Sequence, residues 1–558
     1  MILYAGPLQV LYERGFLRYI SYQDAEILRM IYFALRDENW DTCEHIITHE
    51  EKDISWETFR VTYDSVHRKN NEDLIRWKAS IEGLPDSSIR FTIDGEVLKE
   101  IKKNRAGFCV LHPLHGVKGQ PVQVTQPDGS TYDGQFPAHV EPRNPFKDVQ
   151  KLKWRFGDRW FEVSFSGDVF ETEDQRNWID TSFKTFCTPA DLPIPVTLQP
   201  GTKIHQEVHF RPLEKLQPIT SHDATVIQLD KTGEATRLPA IGTLLSAENN
   251  SINAAAVDQL KTVKLDHLAI AVSPSNADWI AKFSQQCEAA YAIDLAMKVV
   301  LTLPQDFNNT LNQFSGIIQQ NRLRVNEVLL LSEKKPVTDQ KLIDHIPTLK
   351  EALPGIKWGV GTSGDFKDLN RNRFNKGDAD FVSYSAHPQV HAFDDRTLIE
   401  NIDGLRETGD SSSIIYPKAE IHLCPITLQK RSWDKADPRQ TSDLAALWTF
   451  GAIRAIAEAK VRSATLFETT GQNGLLSNAG QPYPITEMLQ KLLRFKNHEM
   501  IVLKNNEPLL ADAMLFSNDS STTLLLVNYT DDLQVVRYGR NEFQVPPLQL
   551  IEINLSGT

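Results

Sequence analysis

Apolar and polar positions alternate in short bursts along the first part of the chain, up to about residue 211. Phe59-Arg-Val-Thr-Tyr63, Ile89-Arg-Phe-Thr-Ile93, Gly107-Phe-Cys-Val-Leu111 and Trp160-Phe-Glu-Val-Ser-Phe165 are separated by turn signals such as Pro127-Asp-Gly129 and Ser166-Gly-Asp168. A period of two sends successive side chains to opposite faces, so each run offers one apolar face; many such runs at short spacing predict an antiparallel β-sandwich. Residues 21–37 fit a helix, although their centre, Ile31-Tyr-Phe-Ala-Leu35, fits a strand equally well.

After a polar, Asn- and Ala-rich passage at 248–258 the rhythm changes. Apolar runs at 265–272, 295–302, 325–331, 356–362, 380–386, 420–426 and 464–467 read as strands, and 276–290, 310–320, 339–352 and 442–459 read as helices between them. Strand and helix alternating this often imply a parallel sheet, and seven or eight units favour its closure into a barrel. An eighth strand is expected near 500–503, and the tail from 512 to 555 returns to short alternating strands. The expected fold is therefore α/β plus all-β: a TIM-like (β/α)8 barrel at 256–505 between an N-terminal β-sandwich at 1–255 and a small C-terminal β-sandwich extension at 506–558.

Composition narrows the function. The 558 residues carry a net charge of -13 with no basic block, which argues against nucleic acid or an anionic membrane surface as a partner. The opening Met1-Ile-Leu-Tyr-Ala-Gly-Pro-Leu8 lacks the pattern of a secretory leader, and no run has the length of a membrane span, so a soluble, cytoplasmic protein is expected. Five scattered cysteines without a Cys-x-x-Cys spacing suggest buried thiols rather than a disulfide framework. Oligomeric state is not legible.

In a barrel of this kind the C-terminal ends of the strands carry the chemistry. Glu468, in Ser463-Ala-Thr-Leu-Phe-Glu-Thr-Thr-Gly471, ends the expected seventh strand and can serve as nucleophile, general base or hydroxyl acceptor. The expected fifth strand ends in His387, followed by His391, Asp394 and Asp395; an imidazole suits proton transfer near neutral pH, and a nearby carboxylate fixes its tautomer. The spacing matches no standard zinc motif, so no metal or other cofactor is expected. Gly361-Thr-Ser-Gly-Asp365 and Asn370-Arg371 follow the expected fourth strand, offering Asp365 as an acid or base and Asn370 and Arg371 as donors to a polyol or an oxyanion. Glu420, His422 and Cys424 share one face of the next strand, where His422 is a ligand group or a core histidine. The loop Gln429-Lys-Arg-Ser-Trp-Asp434 is placed to cover the mouth. Outside the barrel, Phe170-Glu-Thr-Glu-Asp-Gln-Arg-Asn-Trp-Ile-Asp180 concentrates polar groups, and Glu173, Asp174, Arg176 and Asn177 either dock the sandwich or wall the site.

Several of these motifs, with Asn104-Arg-Ala-Gly-Phe-Cys-Val-Leu-His-Pro113, Ser182-Phe-Lys184, Ala5-Gly-Pro7 and Arg18-Tyr-Ile20, jointly resemble the bacterial D-apionate lactonases over most of the chain. The resemblance implies hydrolysis of the lactone of a branched sugar acid in apiose catabolism, with a small sugar lactone as the binding partner. Where that family tends to carry Asn before Pro-Gln-Val-His, this chain has His387, which ranks His391 above His387 as the essential group. Lactone opening needs attack on the carbonyl, a stabilised oxyanion and a protonated leaving oxygen. Those needs are met by Glu468 or a histidine as base for water, Arg371 and Asn370 as donors, His391 as acid, and the Glu173 to Asn177 loop on the hydroxyls; a covalent acyl intermediate on Glu468 is the variant. Two other readings remain. A retaining glycosidase would pair Glu468 with a second carboxylate about 5 Å away, at the end of the fourth strand, where only Asp365 stands. A carbohydrate-binding sandwich on an inactive barrel sits poorly with so many titratable strand ends.

Overall fold

The computed structural model describes residues 1–23, 25–218, 226–247, 252–431 and 435–555. Part of the Asn-rich passage, 248–251, and the tip of the expected mouth-covering loop, 432–434, lie outside the described residues. The chain forms two compact units, one of residues 1–175 with 181–223 and one of residues 176–180 with 224–558.

The first unit is two nine-stranded sheets in which every pairing is antiparallel. Alternation along the strands supplies their shared core: Phe33 and Phe108 point inward from one sheet, Phe91 and Trp77 from the other, with the Phe91 and Phe108 rings 4.9 Å apart. The ambiguous stretch at 21–37 is not a helix. Its greater part is the strand Ala25–Asp37, paired with Ile101–Pro113 so that Ile31 faces Val110 and Phe33 faces Phe108. Ile31, Phe33 and Leu35 are buried while Tyr32 and Ala34 are not, which is the period of a half-buried strand.

The second unit contains a closed parallel barrel. Its strands are β1 (Ala240–Leu244), β2 (His267–Val272), β3 (Ala296–Leu303), β4 (Val325–Ser332), β5 (Lys357–Gly361), β6 (Phe381–Ala386), β7 (Glu420–Ile426) and β8 (Ser463–Thr470), and β8 pairs with β1 to close the ring. Two expectations are corrected here. The strand near 500–503 exists as Glu499–Asn505 but belongs to another sheet, and the barrel instead begins with Ala240-Ile-Gly-Thr-Leu244. That strand is five residues long, carries a glycine and is almost wholly buried, so it shows no alternation to read. Every later barrel strand moves up one place.

A seven-stranded C-terminal sheet completes the unit, with Ile227–Thr236, from before the barrel, lying beside Glu499–Asn505, from after it. The outer helix Asp443–Glu458, whose N-terminus is capped by the Ser442 hydroxyl, sends Arg454 to Asp512 of this sheet at 2.7 Å. Among the described residues no helix is long and apolar enough to cross a membrane.

Candidate active site

The C-terminal end of β5 turns on Gly361. Its φ is +148°, and a Cβ there would stand 1.9 Å from the Ser383 carbonyl oxygen, so only glycine fits. The turn places Asp365 at the N-cap of the short helix Phe366–Arg371, yet its carboxylate makes no cap bond and lies 3.3 Å from Nε2 of His387, the residue after β6. Burial alone would raise the Asp365 carboxyl; the hydrogen bond and charge of His387, with Lys430 and Lys367, hold it below the usual carboxylate range.

Glu468 owes its direction to a break in β8. The register with β1 runs Ile241 to Ala464 and Gly242 to Thr465, then slips so that Leu244 faces Glu468, and Phe467 at the slip has φ +53°. Thr465 points into the barrel, where its hydroxyl meets His267 Nε2 at 2.9 Å. Strict alternation from Thr465 would turn Phe467 inward and Glu468 outward. The bulge reverses this: Phe467 packs edge-on against Trp448 of the outer helix, with ring centroids 6.4 Å apart, and Glu468 turns to the mouth. There its Oε1 accepts from Arg431 at 3.3 Å. Lys430 and Arg431, adjacent on the loop after β7, thus act on Asp365 and Glu468 respectively.

The third group lies on the loop after β6. His391 Nδ1 is 2.6 Å from Asp180 Oδ2, and Asp180 Oδ1 accepts from the Asn401 amide at 3.0 Å. The same amide donates to the Pro388 carbonyl, beside His387. Asp180 belongs to a strap, residues 176–180, that is part of the barrel unit although in sequence it lies between two strands of the first unit, Phe170–Asp174 and Ser182–Phe186. The strap is embedded: Arg176 bonds Glu407 at 2.8 Å, Asn177 accepts from Asn370 at 3.0 Å, and Trp178 stands edge-on to His391 with Arg371 over its ring at 5.0 Å.

Of the residues expected from sequence, the structure brings together Asp365 with His387, and His391 with Asn370, Arg371, Arg176 and Asn177 through the strap. Glu468 meets Arg431. Glu173 and Asp174 fall in the first unit, where Glu173 pairs with Lys184 and Asp174 accepts from the Glu141 backbone N–H at 2.9 Å. His422 is not at the mouth. It sits near the start of β7, inside the opposite end of the barrel, stacked on Phe381 at 4.1 Å. Lys298 donates to its Nδ1 at 3.0 Å and its Nε2 lies 3.3 Å from Glu420, so it is a neutral core imidazole; burial, with the charge of Lys298, pulls its pKa down to about 4. Asp394 caps the helix Asp395–Glu400, and Asp395 pairs with Arg439. Asp180, Asn401 and Arg431 were missed as site residues. The signal for Asp180 was its place at the end of the polar motif, and for Arg431 the Lys-Arg pair after β7. Among the described residues no group of three or more His, Cys, Asp or Glu side chains is placed to hold a metal ion.

Residues 1–215 match the family model described as the D-apionate lactonase N-terminal domain, and residues 241–497 match that described as its TIM barrel domain. The chain belongs to the D-apionate lactonase family. A family relative from Brucella anthropi, named D-apionate lactonase, is 25% identical over 517 residues, spanning 86% of this chain and 84% of its own. Among solved structures, a GH30 endoxylanase from Clostridium papyrosolvens is similar to 60% of this chain over 97% of its own, with 8% identity and a TM-score of 0.40. A beta-arabinopyranosidase spans 99% of both chains with 10% identity and a TM-score of 0.34. Both structural likenesses are too distant to bear on the reaction.

Proposed function

We propose that this protein is a carboxylic-ester hydrolase that opens the lactone ring of a branched sugar acid, D-apionolactone to D-apionate, in cytoplasmic carbohydrate catabolism, without a cofactor. Family membership and the relative's name support the substrate class. The observation that carries the chemistry is the bulge at Phe467, a strained backbone whose effect is to turn a carboxylate to the barrel mouth beside a guanidinium.

In the proposed mechanism Glu468 takes a proton from water as the water oxygen bonds to the lactone carbonyl carbon. The carbonyl electron pair moves onto its oxygen, and Arg431 donates to that oxyanion. As the tetrahedral intermediate collapses, the bond from the acyl carbon to the ring oxygen breaks, and the ring oxygen keeps the pair and takes from Nε2 of His391 the water-derived proton that Glu468 has passed to it. His387, held by Asp365, binds a hydroxyl or relays that proton. Asn370 is already bonded to Asn177 and Arg373, so Arg431 replaces it as donor.

The glycosidase reading loses its footing with the strand count. Glu468 lies near the end of β8 rather than on the seventh strand; β7 ends at Ile426, and the carboxylate after β4, Glu333, accepts from the Ser275 hydroxyl.

The test is hydrolysis of D-apionolactone beside other aldonolactones and an aryl glycoside, by wild type and Glu468→Gln, with and without chelator. Apionolactone opening that falls on the order of 10²–10⁴-fold in the variant and ignores chelator supports the proposal. Glycoside cleavage with lactone opening no faster than the spontaneous rate sinks it.

A further inference from the structure

The strap carries an acidic residue that neither the family models nor the relative's name assigns to any role. We infer that Asp180 is the positioning residue for His391, fixing the imidazole so that Nε2 is the nitrogen presented for proton transfer. The inference rests on the lactonase reading for its kinetic consequence but not for its structural one.

Three observations converge. Asp180 is 4% exposed and spends Oδ2 on His391 Nδ1 at 2.6 Å, a short contact of the kind an ionised acceptor makes. A carboxylate can only accept, so Nδ1 carries a proton and the neutral ring has its lone pair on Nε2, the tautomer that a free imidazole disfavours. Next, Oδ1 accepts from Asn401, whose amide also donates to Pro388, so one side chain locks the carboxylate to the very loop that carries His387 and His391. Finally, the ring has little freedom to rotate, since Trp178 meets it edge-on at 5.4 Å and Trp178 is itself covered by Arg371. The strap is fixed at its other end by the buried Arg176–Glu407 pair, and beside Asp180 it passes close to Gly404, where a Cβ would stand 1.8 Å from the Ile179 carbonyl oxygen.

A residue that merely filled space would not set a tautomer. The experiment therefore combines rates with the histidine nitrogen spectrum of 15N-histidine-labelled full-length protein, with the His391 signals assigned by their loss in His391→Gln. The neutral His391 of the wild type is expected as the Nδ1–H tautomer, and Asp180→Ala is expected to revert it to Nε2–H. Asp180→Asn is expected to lower kcat on D-apionolactone on the order of a hundredfold with KM within about threefold, because only the proton-transfer geometry is lost. An Nε2–H tautomer in the wild type overturns the inference, and does so even if the variants fail to fold. Unchanged kcat in a folded Asp180→Asn overturns it as well. If the wild type opens no lactone while its spectrum shows Nδ1–H, the positioning stands and the lactonase reading fails.

Discussion

Trp77 donates its indole N–H to Nδ1 of His67 at 2.7 Å inside the N-terminal sandwich. That bond requires a neutral acceptor, and a proton on Nδ1 would set two donors against each other. Burial, with the charge of His45, pulls His67 down from 6.5 to about 3; burial alone takes His112 to about 3 and His45 to about 4. In the unfolded chain each of the three titrates near 6.5, so below that pH the unfolded state binds more protons and stability falls; above it the effect is absent. Chemical denaturation should show nearly equal stability at pH 8.5 and 7.5 and a loss of about 2 kcal/mol per histidine by pH 5. A flat profile from 6.5 to 5 would mean that these rings are not buried as neutral groups.

Gly361→Ala tests the turn that delivers Asp365. The added methyl meets the Ser383 carbonyl at 1.9 Å and the backbone sits where side chains rarely go. A loss of about 3 kcal/mol or more, read as a drop in Tm, should accompany lost activity. A stable, active Gly361→Ala would show that the rim of β5 is not built as described.

Arg454→Leu should loosen the C-terminal sheet from the barrel. Its guanidinium bonds Asp512 and Asp403 at 2.7 Å and Glu458 at 3.0 Å, and Tyr529 also donates to Asp512. Stripping the cation leaves buried carboxylates facing one another, at a cost of about 3–5 kcal/mol. Replacing Asp512 by Leu as well should recover part of that loss; denaturation of both variants decides.

His422→Leu should separate stability from turnover. The ring lies at the end of the barrel away from the mouth, between Lys298 and Glu420. Removing it takes one acceptor from the Lys298 ammonium, which keeps Glu327 at 3.3 Å, and should cost about 1–2 kcal/mol, while kcat stays within about threefold of wild type. A collapse of kcat at unchanged Tm would place His422 in the chemistry after all.

Much of the fold was legible because the two periods are distinct: runs such as Phe59 to Tyr63 alternate at two, and the long helix at 442–459 carries a Ser cap and an apolar body. What misled was an element without a period. Ala240–Leu244 is buried on nearly all sides and so looks like linker, whereas Met500 to Leu503, near the surface, looks like the missing strand. The site was legible in residue type and in strand ends but not in pairing. Nothing local ties Asp180 to His391, 211 positions later, and the direction of Glu468 depends on one positive φ at Phe467 that no pattern of hydrophobicity encodes.

The pairing of Ile227–Thr236 with Glu499–Asn505 also sets an order of events during synthesis. Thr232 bonds the Val502 carbonyl, 270 residues downstream. A ribosome therefore releases the first of these strands while its partner is still unmade, and the whole ring must emerge before the clasp can shut. Until then that strand has an open edge, and a message truncated before Glu499 would yield a chain whose barrel strands are all present but whose Ile227–Thr236 strand stays without this partner.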